Sequence, residues 1–247
     1  MNKVVIVTGG SRGIGAATSK LLAKQGYAVC VNYHQRPEPA EALVEEITAS
    51  GGKAFAYQAD AACEKQVQAM FVATRQRFGT VTHLVNNAGI LFTQSELRNI
   101  DADRFRKVLD TNVMSCFVCS KSYINQIDAD SEMKGAIVNV SSAASRIGAP
   151  FEYIDYAASK GAMDSITIGL SLELAGQGIR VNGVRPGCIY TEMHADGGEP
   201  GRVDRLGPNL PLKRGGAPEE VANSIAWLLS EEASFVTGTF IDIAGGR

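Results

Sequence analysis

The sequence has no surplus of either charge: 24 Lys and Arg stand against 26 Asp and Glu, a net charge of -2. That balance excludes the broad basic field of a nucleic-acid binder, an acidic tail and a polybasic membrane patch. No apolar run reaches the roughly 18 residues needed to cross a bilayer. The opening MNKVVIVTGG has only a short apolar run before a glycine turn. Neither export nor membrane spanning is therefore expected, and the expected location is cytoplasmic. Five cysteines, Cys30, Cys63, Cys116, Cys119 and Cys188, are too few and odd in number for a disulfide framework, which points to a reducing compartment. Cys116 and Cys119 form a CxxC without a second Cys or His pair, and His34, His83 and His194 are scattered, so no metal site is expected.

Present instead are 26 glycines in 247 residues, placed at turns rather than in a low-complexity tract. With 45% hydrophobic and 20% charged residues the chain can bury a core. Val4 to Val7 is a β-branched run ending at Gly9-Gly10, the pattern of a strand buried on both faces. A helix is predicted over 14–25, closed by Gly26. Strands follow at 28–33, 53–60, 82–89, 136–142 and 180–187, with a last one in TFIDIAG. Helices are predicted at 39–50, up to 78, 103–127, 156–175 and 218–230. Parallel strands need crossover connections, so this alternation predicts one α/β domain over 1–247, a doubly wound Rossmann fold with a seven-stranded parallel sheet. Ligands of such sheets bind at the carboxyl ends of the strands.

The loop Thr8-Gly9-Gly10-Ser11-Arg12-Gly13-Ile14-Gly15 joins the first strand to the first helix, where bare backbone lets a pyrophosphate reach the helix N-terminus. A tight turn needs glycine regardless of ligand, but this position favours a dinucleotide. The second strand ends in Asn32-Tyr33-His34, without the carboxylate that holds the ribose 2′-hydroxyl of NAD. Arg12 is able to pair a 2′-phosphate or simply to face solvent; NADP(H) is favoured over NAD(H). Asp60 and Ala61 follow the third strand, where Asp60 contacts adenine or caps the next helix. Tyr156 and Lys160 lie four apart on one helical face, an arrangement in which the ammonium lowers the phenol's pKa. Ser141-Ser142 end the fifth strand, where a hydroxyl stabilises a substrate oxygen or closes an ST-turn.

Taken in order, TGxxxGxG at Thr8 to Gly15, NNAG at Asn86 to Gly89, Asn112, Ser142 and YxxxK at Tyr156 to Lys160 resemble the short-chain dehydrogenase/reductase family, in particular its β-ketoacyl-acyl-carrier-protein reductases and glucose 1-dehydrogenase-like members. The resemblance runs from about residue 3 to the last residue. It implies hydride transfer between nicotinamide and a small carbonyl or secondary alcohol substrate, with Asn112, Ser142, Tyr156 and Lys160 catalytic. Tyr156 is then the acid/base, Ser142 orients the oxygen, and Lys160 also holds the nicotinamide ribose. Asn112 positions a water that relays protons to Lys160. Asn87, Ala88 and Gly89 would lie against the cofactor, and Pro186, Gly187, Ile189 and Thr191 against the nicotinamide carboxamide. A homotetramer is implied as well, built on the helices near 103–127 and 156–175 and the last strand. The second reading is a regulatory module that senses NADP(H) without chemistry.

One departure stands out: Ser142 and Tyr156 are 14 positions apart, one more than the family often shows, which leaves Ser141 and Ser145 as alternatives to Ser142. In that loop Glu152, Tyr153 and Asp155 recognise a hydroxyl-rich substrate or are merely solvated. The stretch Glu192 to Gly216, rich in Gly and Pro, is expected to be irregular and to form a substrate lid over about 190–216.

Overall fold

The structure is a computed structural model that describes residues 3–127 and 134–247. Seven parallel strands form one sheet: β1 (Val4–Val7), β2 (Ala28–Tyr33), β3 (Lys53–Gln58), β4 (His83–Asn86), β5 (Gly135–Val140), β6 (Ile179–Pro186) and β7 (Phe240–Ile243), in the order β3-β2-β1-β4-β5-β6-β7. The order reverses beside β1, so the crevice at a doubly wound sheet's switch point opens between the loops after β1 and β4.

Alternation along β1 explains why both faces need helices. Val5 and Val7 join a core with Leu22, Leu43 and Ile225, whereas Val4 and Ile6 join a second core with Met70, Phe71 and Tyr123. The first core is covered by α1 (Gly13–Lys24), α2 (Pro37–Ala49) and α9 (Pro218–Leu229), and the second by α3 (Glu64–Phe78), α4 (Ala102–Asn125) and α6 (Ile154–Leu174). Each fully buried Val or Ile contributes roughly 1.5–3 kcal/mol, so a strand buried on both faces anchors the sheet strongly.

The ends of elements differ from the expected ones. The predicted strand over 82–89 pairs only through Asn86, because Asn87 and Ala88 leave the sheet and give their backbone N–H groups to the Thr8 hydroxyl. A short helix, α5 (Ala144–Ile147), follows β5 where no helix was predicted. The stretch expected to be irregular carries α7 (Met193–Asp196) and α8 (Arg202–Leu206), followed by a 3-10 turn at Gly207–Asn209. No helix among the described residues is long and apolar enough to cross a membrane.

Candidate active site

The loop after β1 is built around missing side chains. Gly9 has φ +57, and a Cβ on Gly15 would lie 2.2 Å from the Gly9 carbonyl oxygen and 2.7 Å from Asn87 Nδ2. Asn87 Nδ2 donates to the Thr8 and Gly9 carbonyls at 2.9 and 3.0 Å, so the NNAG turn and the glycine loop form one unit. Helix α1 then starts with no side-chain cap at Arg12 and no acidic residue in its first turn. Its unpaired N–H groups and positive dipole end suit an anion. Bare backbone beside an uncapped helix start therefore fits a pyrophosphate. Ser11, Arg12, Gly13 and Ile14 are all half-buried along this edge.

Asn32, Tyr33 and His34 are not equivalent at the end of β2. Asn32 is buried; its Oδ1 accepts the Gly9 N–H at 3.2 Å and its Nδ2 donates to the Ala59 carbonyl at 3.0 Å. It shapes the loop from behind, leaving half-buried Tyr33 and exposed His34 at the strand end. The Asp60 carboxylate accepts the Ala62 N–H at 3.0 Å and stabilises a turn, while the α3 N-cap position belongs to Cys63. Ala61 beside it is buried. The Arg12 guanidinium reaches Asp196 of α7 at 3.3 Å, a partly exposed pair.

Ser142, Tyr156 and Lys160 line one cavity with Asn87, Pro186, Gly187, Ile189 and Thr191. Helix α6 puts Tyr156 and Lys160 on one face, with Lys160 Nζ 5.5 Å from the Tyr156 ring centre. Lys160 is buried and donates to the Val140 carbonyl at 2.8 Å. Of the three serines, Ser142 lines the cavity with Tyr156, and its hydroxyl is the one that acts on the phenol, pulling its pKa down. Its hydroxyl also accepts the Ala144 N–H at 3.1 Å, so it closes an ST-turn at the same time. Ser141 points away to the Lys160 carbonyl, and Ser145 bonds the Ser142 carbonyl.

The electrostatic expectation for Tyr156 needs correction. Burial pushes its phenol up to about 12, against the opposing pull of the Ser142 hydroxyl. Burial likewise pushes the Lys160 ammonium down to about 8. Desolvation thus sets the phenol's direction, and the Lys160 charge that the four-residue spacing suggests is not among the causes acting on it.

Asn112, fully buried in α4, clamps the chain after NNAG: its Oδ1 accepts the Ile90 N–H at 2.7 Å, and its Nδ2 donates to the Ile90 carbonyl and to Ser159 Oγ, both at 3.0 Å. Both amide hydrogens are engaged, and one Oδ1 lone pair is left. A Cβ built on Gly89 would lie 3.3 Å from that Oδ1 and 3.5 Å from Lys160 Nζ, so both groups face the gap that Gly89 leaves. Thr191 approaches the glycine loop, its methyl 3.0 Å from where a Gly13 Cβ would be. Ala88 is partly buried against the second core. The Pro186 carbonyl accepts the Ala143 N–H at 2.9 Å, which fixes the loop after β6 against the Ser142 loop.

Of Glu152, Tyr153 and Asp155, expected to recognise substrate or to be solvated, Glu152 and Tyr153 line the cavity, whereas Asp155 is bound inside the protein. Asp155 is buried and paired with Arg104 at 2.7 Å. Glu152 pairs with Arg202 of α8 at 2.6 Å, and Arg202 also holds Glu199 at 3.0 Å and lies 5.1 Å from the Tyr153 ring centre. The longer loop adopts left-handed backbone at two non-glycine residues, Ala149 with φ 43 and Phe151 with φ 64. Such residues cost of order 1–3 kcal/mol each, and persist where surrounding contacts hold them. Here the holding contacts are the Ser95 N–H on the Glu152 carbonyl at 2.9 Å and the Arg202 pair. Arg202, His194 and Arg247 also line the cavity, and none was singled out for it by local sequence. The partners of Arg202 lie 50 and 3 positions away, a relation no short motif encodes.

A family model described as enoyl-(acyl carrier protein) reductase matches residues 9–247. The chain belongs to the short-chain dehydrogenase/reductase family. A solved variant of a short-chain dehydrogenase/reductase from Serratia marcescens superposes with a TM-score of 0.89 at 36% identity, covering 99% of this chain and 97% of that one. An uncharacterised oxidoreductase of Escherichia coli K12, YgfF, is 58% identical over 99% of both chains. Glucose 1-dehydrogenase 2 of Bacillus subtilis is 37% identical over 99% of this chain and 94% of its own length. As a short-chain dehydrogenase/reductase the chain is an enzyme, an oxidoreductase acting on CH–OH groups with a nicotinamide cofactor. Family membership favours this over a sensor without chemistry.

Proposed function

We propose that the protein is an NADP(H)-dependent reductase of small carbonyl compounds, working reversibly as a secondary alcohol dehydrogenase. The observation that carries the reading is the meeting of Ser142, Tyr156 and Lys160 on one cavity wall at the carboxyl ends of the strands. The bound nicotinamide supplies or accepts the hydride at the carbonyl carbon. Tyr156 gives its phenolic proton to the carbonyl oxygen in reduction and takes one back in oxidation. Ser142 donates to the same oxygen and steadies its developing charge. Lys160 stands beside the phenol to favour the phenolate once the proton has left, and Asn112, which fixes Ile90 and Ser159 around it, is assigned the positioning of a relay water to Lys160.

Gly9, Ser11, Arg12, Gly13, Ile14 and Gly15 are assigned to the pyrophosphate and adenosine side, with Tyr33, His34, Asp60 and Ala61 at the adenine end. The preference for NADP(H) is supported by the absence of a carboxylate at the end of β2 and by the half-exposed Arg12 guanidinium. Its pairing with Asp196 is a surface ion pair of about 0–1 kcal/mol, which a doubly charged phosphate outcompetes. Residues 190–216 serve as the lid, pinned to the body through Arg202. A homotetramer is proposed, on exposed apolar residues of α4 and α6 such as Phe117 and Leu172. Five free thiols suit the cytoplasm.

The test is a spectrophotometric screen of aldehydes, ketones and quinones for loss of NADPH absorbance. The expected result is turnover of some carbonyl compounds with NADPH well above NADH, and a tenfold or greater loss of that preference in Arg12→Ala, on the basis of about 1.5–3 kcal/mol for a charge-assisted bond. Equal efficiency with both cofactors refutes the 2′-phosphate assignment, and no turnover of any carbonyl compound refutes the reductase assignment.

A further inference from the structure

The substrate cavity contains two arginines, and their circumstances are opposite. Arg202 is buried and neutralised by Glu152 and Glu199 at 2.6 and 3.0 Å. Arg247 is exposed at the cavity's edge; among the described residues no Asp or Glu carboxylate lies within ion-pair distance of it, and its only side-chain partner there is the sulfur of Cys188, 3.9 Å from its Nη1. A thiol is a weak acceptor, so most of the five guanidinium N–H groups are held by no protein acceptor and face solvent, where a ligand can take them.

Its placement is built by the chain before it. Gly245 and Gly246 follow one another with φ 64 and 91, a double left-handed turn that few other residues tolerate. A Cβ on Gly246 would lie 2.8 Å from Pro211 Cβ, and the Gly245 carbonyl accepts the Leu212 N–H at 3.1 Å, so the turn is held beneath residues 210–212. Arg247 is thereby folded back onto Cys188, two residues beyond Pro186, whose carbonyl is bonded to Ala143 beside Ser142. The cavity thus has an oxygen-binding group at Ser142 and Tyr156, an unpaired cation at Arg247, and apolar side chains such as Leu91, Ile147 and Met193 in its wall.

We infer that Arg247 recognises a carboxylate on the carbonyl substrate, so that oxo acids are the preferred substrate class. A planar guanidinium fork matches a carboxylate with two parallel hydrogen bonds. The inference rests on the reductase reading above. Reduction remains the same balanced step: hydride from the reduced nicotinamide goes to the carbonyl carbon, the Tyr156 proton goes to the oxygen, and a hydroxy acid and oxidised cofactor leave.

The experiment compares 3-oxobutanoate and 4-oxopentanoate with their methyl esters, using wild type, Arg247→Ala and Arg247→Lys with NADPH. The expected result is a wild-type kcat/KM that favours an acid over its ester, and an acid-to-ester ratio that falls about 10- to 100-fold in Arg247→Ala, mainly through KM, as expected for losing a charge-assisted bond. Arg247→Lys restores part of the ratio. A wild type that uses acids and esters equally, or an Arg247→Ala ratio equal to that of wild type, overturns the inference while neutral ketones still turn over. Absence of turnover on every carbonyl compound removes this inference together with the reductase reading.

Discussion

Replacing Gly15 by alanine tests whether the glycine loop is shaped for a dinucleotide or is merely a turn. In an ordinary helix the change stabilises by about 1 kcal/mol. Here the new methyl would sit 2.2 Å from the Gly9 carbonyl oxygen, 2.7 Å from Asn87 Nδ2 and 3.0 Å from Gly10 Cα. Two of these are backbone atoms, and the third is held by hydrogen bonds to Thr8 and Gly9, so none can rotate away. Overpacking of this kind costs about 1–3 kcal/mol. The helix gain offsets part of it, leaving a net loss of about 0–2 kcal/mol and a Tm lowered by up to ~8 °C. Binding suffers more than folding, because displacing the loop removes backbone donors from the phosphates at about 1.5–3 kcal/mol each. Fluorescence titration should therefore show NADPH affinity weakened at least tenfold in a protein that still melts cooperatively. Wild-type affinity in Gly15→Ala would refute the reasoning, since it would mean that the loop's spacing has nothing to do with the ligand.

Two further outcomes follow from the same geometry. In the reduction direction, the Tyr156 phenol, pushed up to about 12, stays protonated at neutral pH, while the Lys160 ammonium, pushed down to about 8, loses its charge as pH rises. The kcat/KM profile for a carbonyl substrate should thus be level below pH 8 and fall on the alkaline side; the dinucleotide's negative charge moves that limb upward, and a profile that climbs through this range contradicts the assignment. Arg202→Ala leaves the Glu152 and Glu199 carboxylates without their cation in a partly buried site. Breaking a buried pair costs about 3–5 kcal/mol, reduced here by partial exposure to roughly 2–3 kcal/mol in urea unfolding; a loss under about 0.5 kcal/mol would mean that the pair does not hold the lid.

The seven strands and the order of motifs were legible in the sequence because β-branched runs and glycine stops are local signals. The strand ends were less so: Asn87 and Ala88 follow directly on the strand with no local stop before Gly89, yet the Thr8 hydroxyl, 79 and 80 positions away, draws their N–H groups out of the sheet. Spacing suggested a Lys160 effect on Tyr156, but the burial that sets the phenol's direction depends on Ala149, Ala144 and Leu91, which pack around it from other parts of the chain. Glu152 and Asp155 looked free because their arginine partners are distant in the chain, 50 and 51 positions away. Asn32 carried no sign that its side chain faces inward to Gly9 and Ala59, and Arg247 owes its place in the cavity to two glycine dihedrals.

Proton transfer through the Tyr156 phenol is the step on which the proposed chemistry depends most. Tyr156→Phe removes only the hydroxyl, so NADPH affinity by fluorescence titration is predicted to stay within about twofold of wild type. Its kcat is predicted to fall by at least the ~10²-fold that general acid catalysis contributes. A Tyr156→Phe enzyme that reduces carbonyl compounds at the wild-type rate would contradict that role.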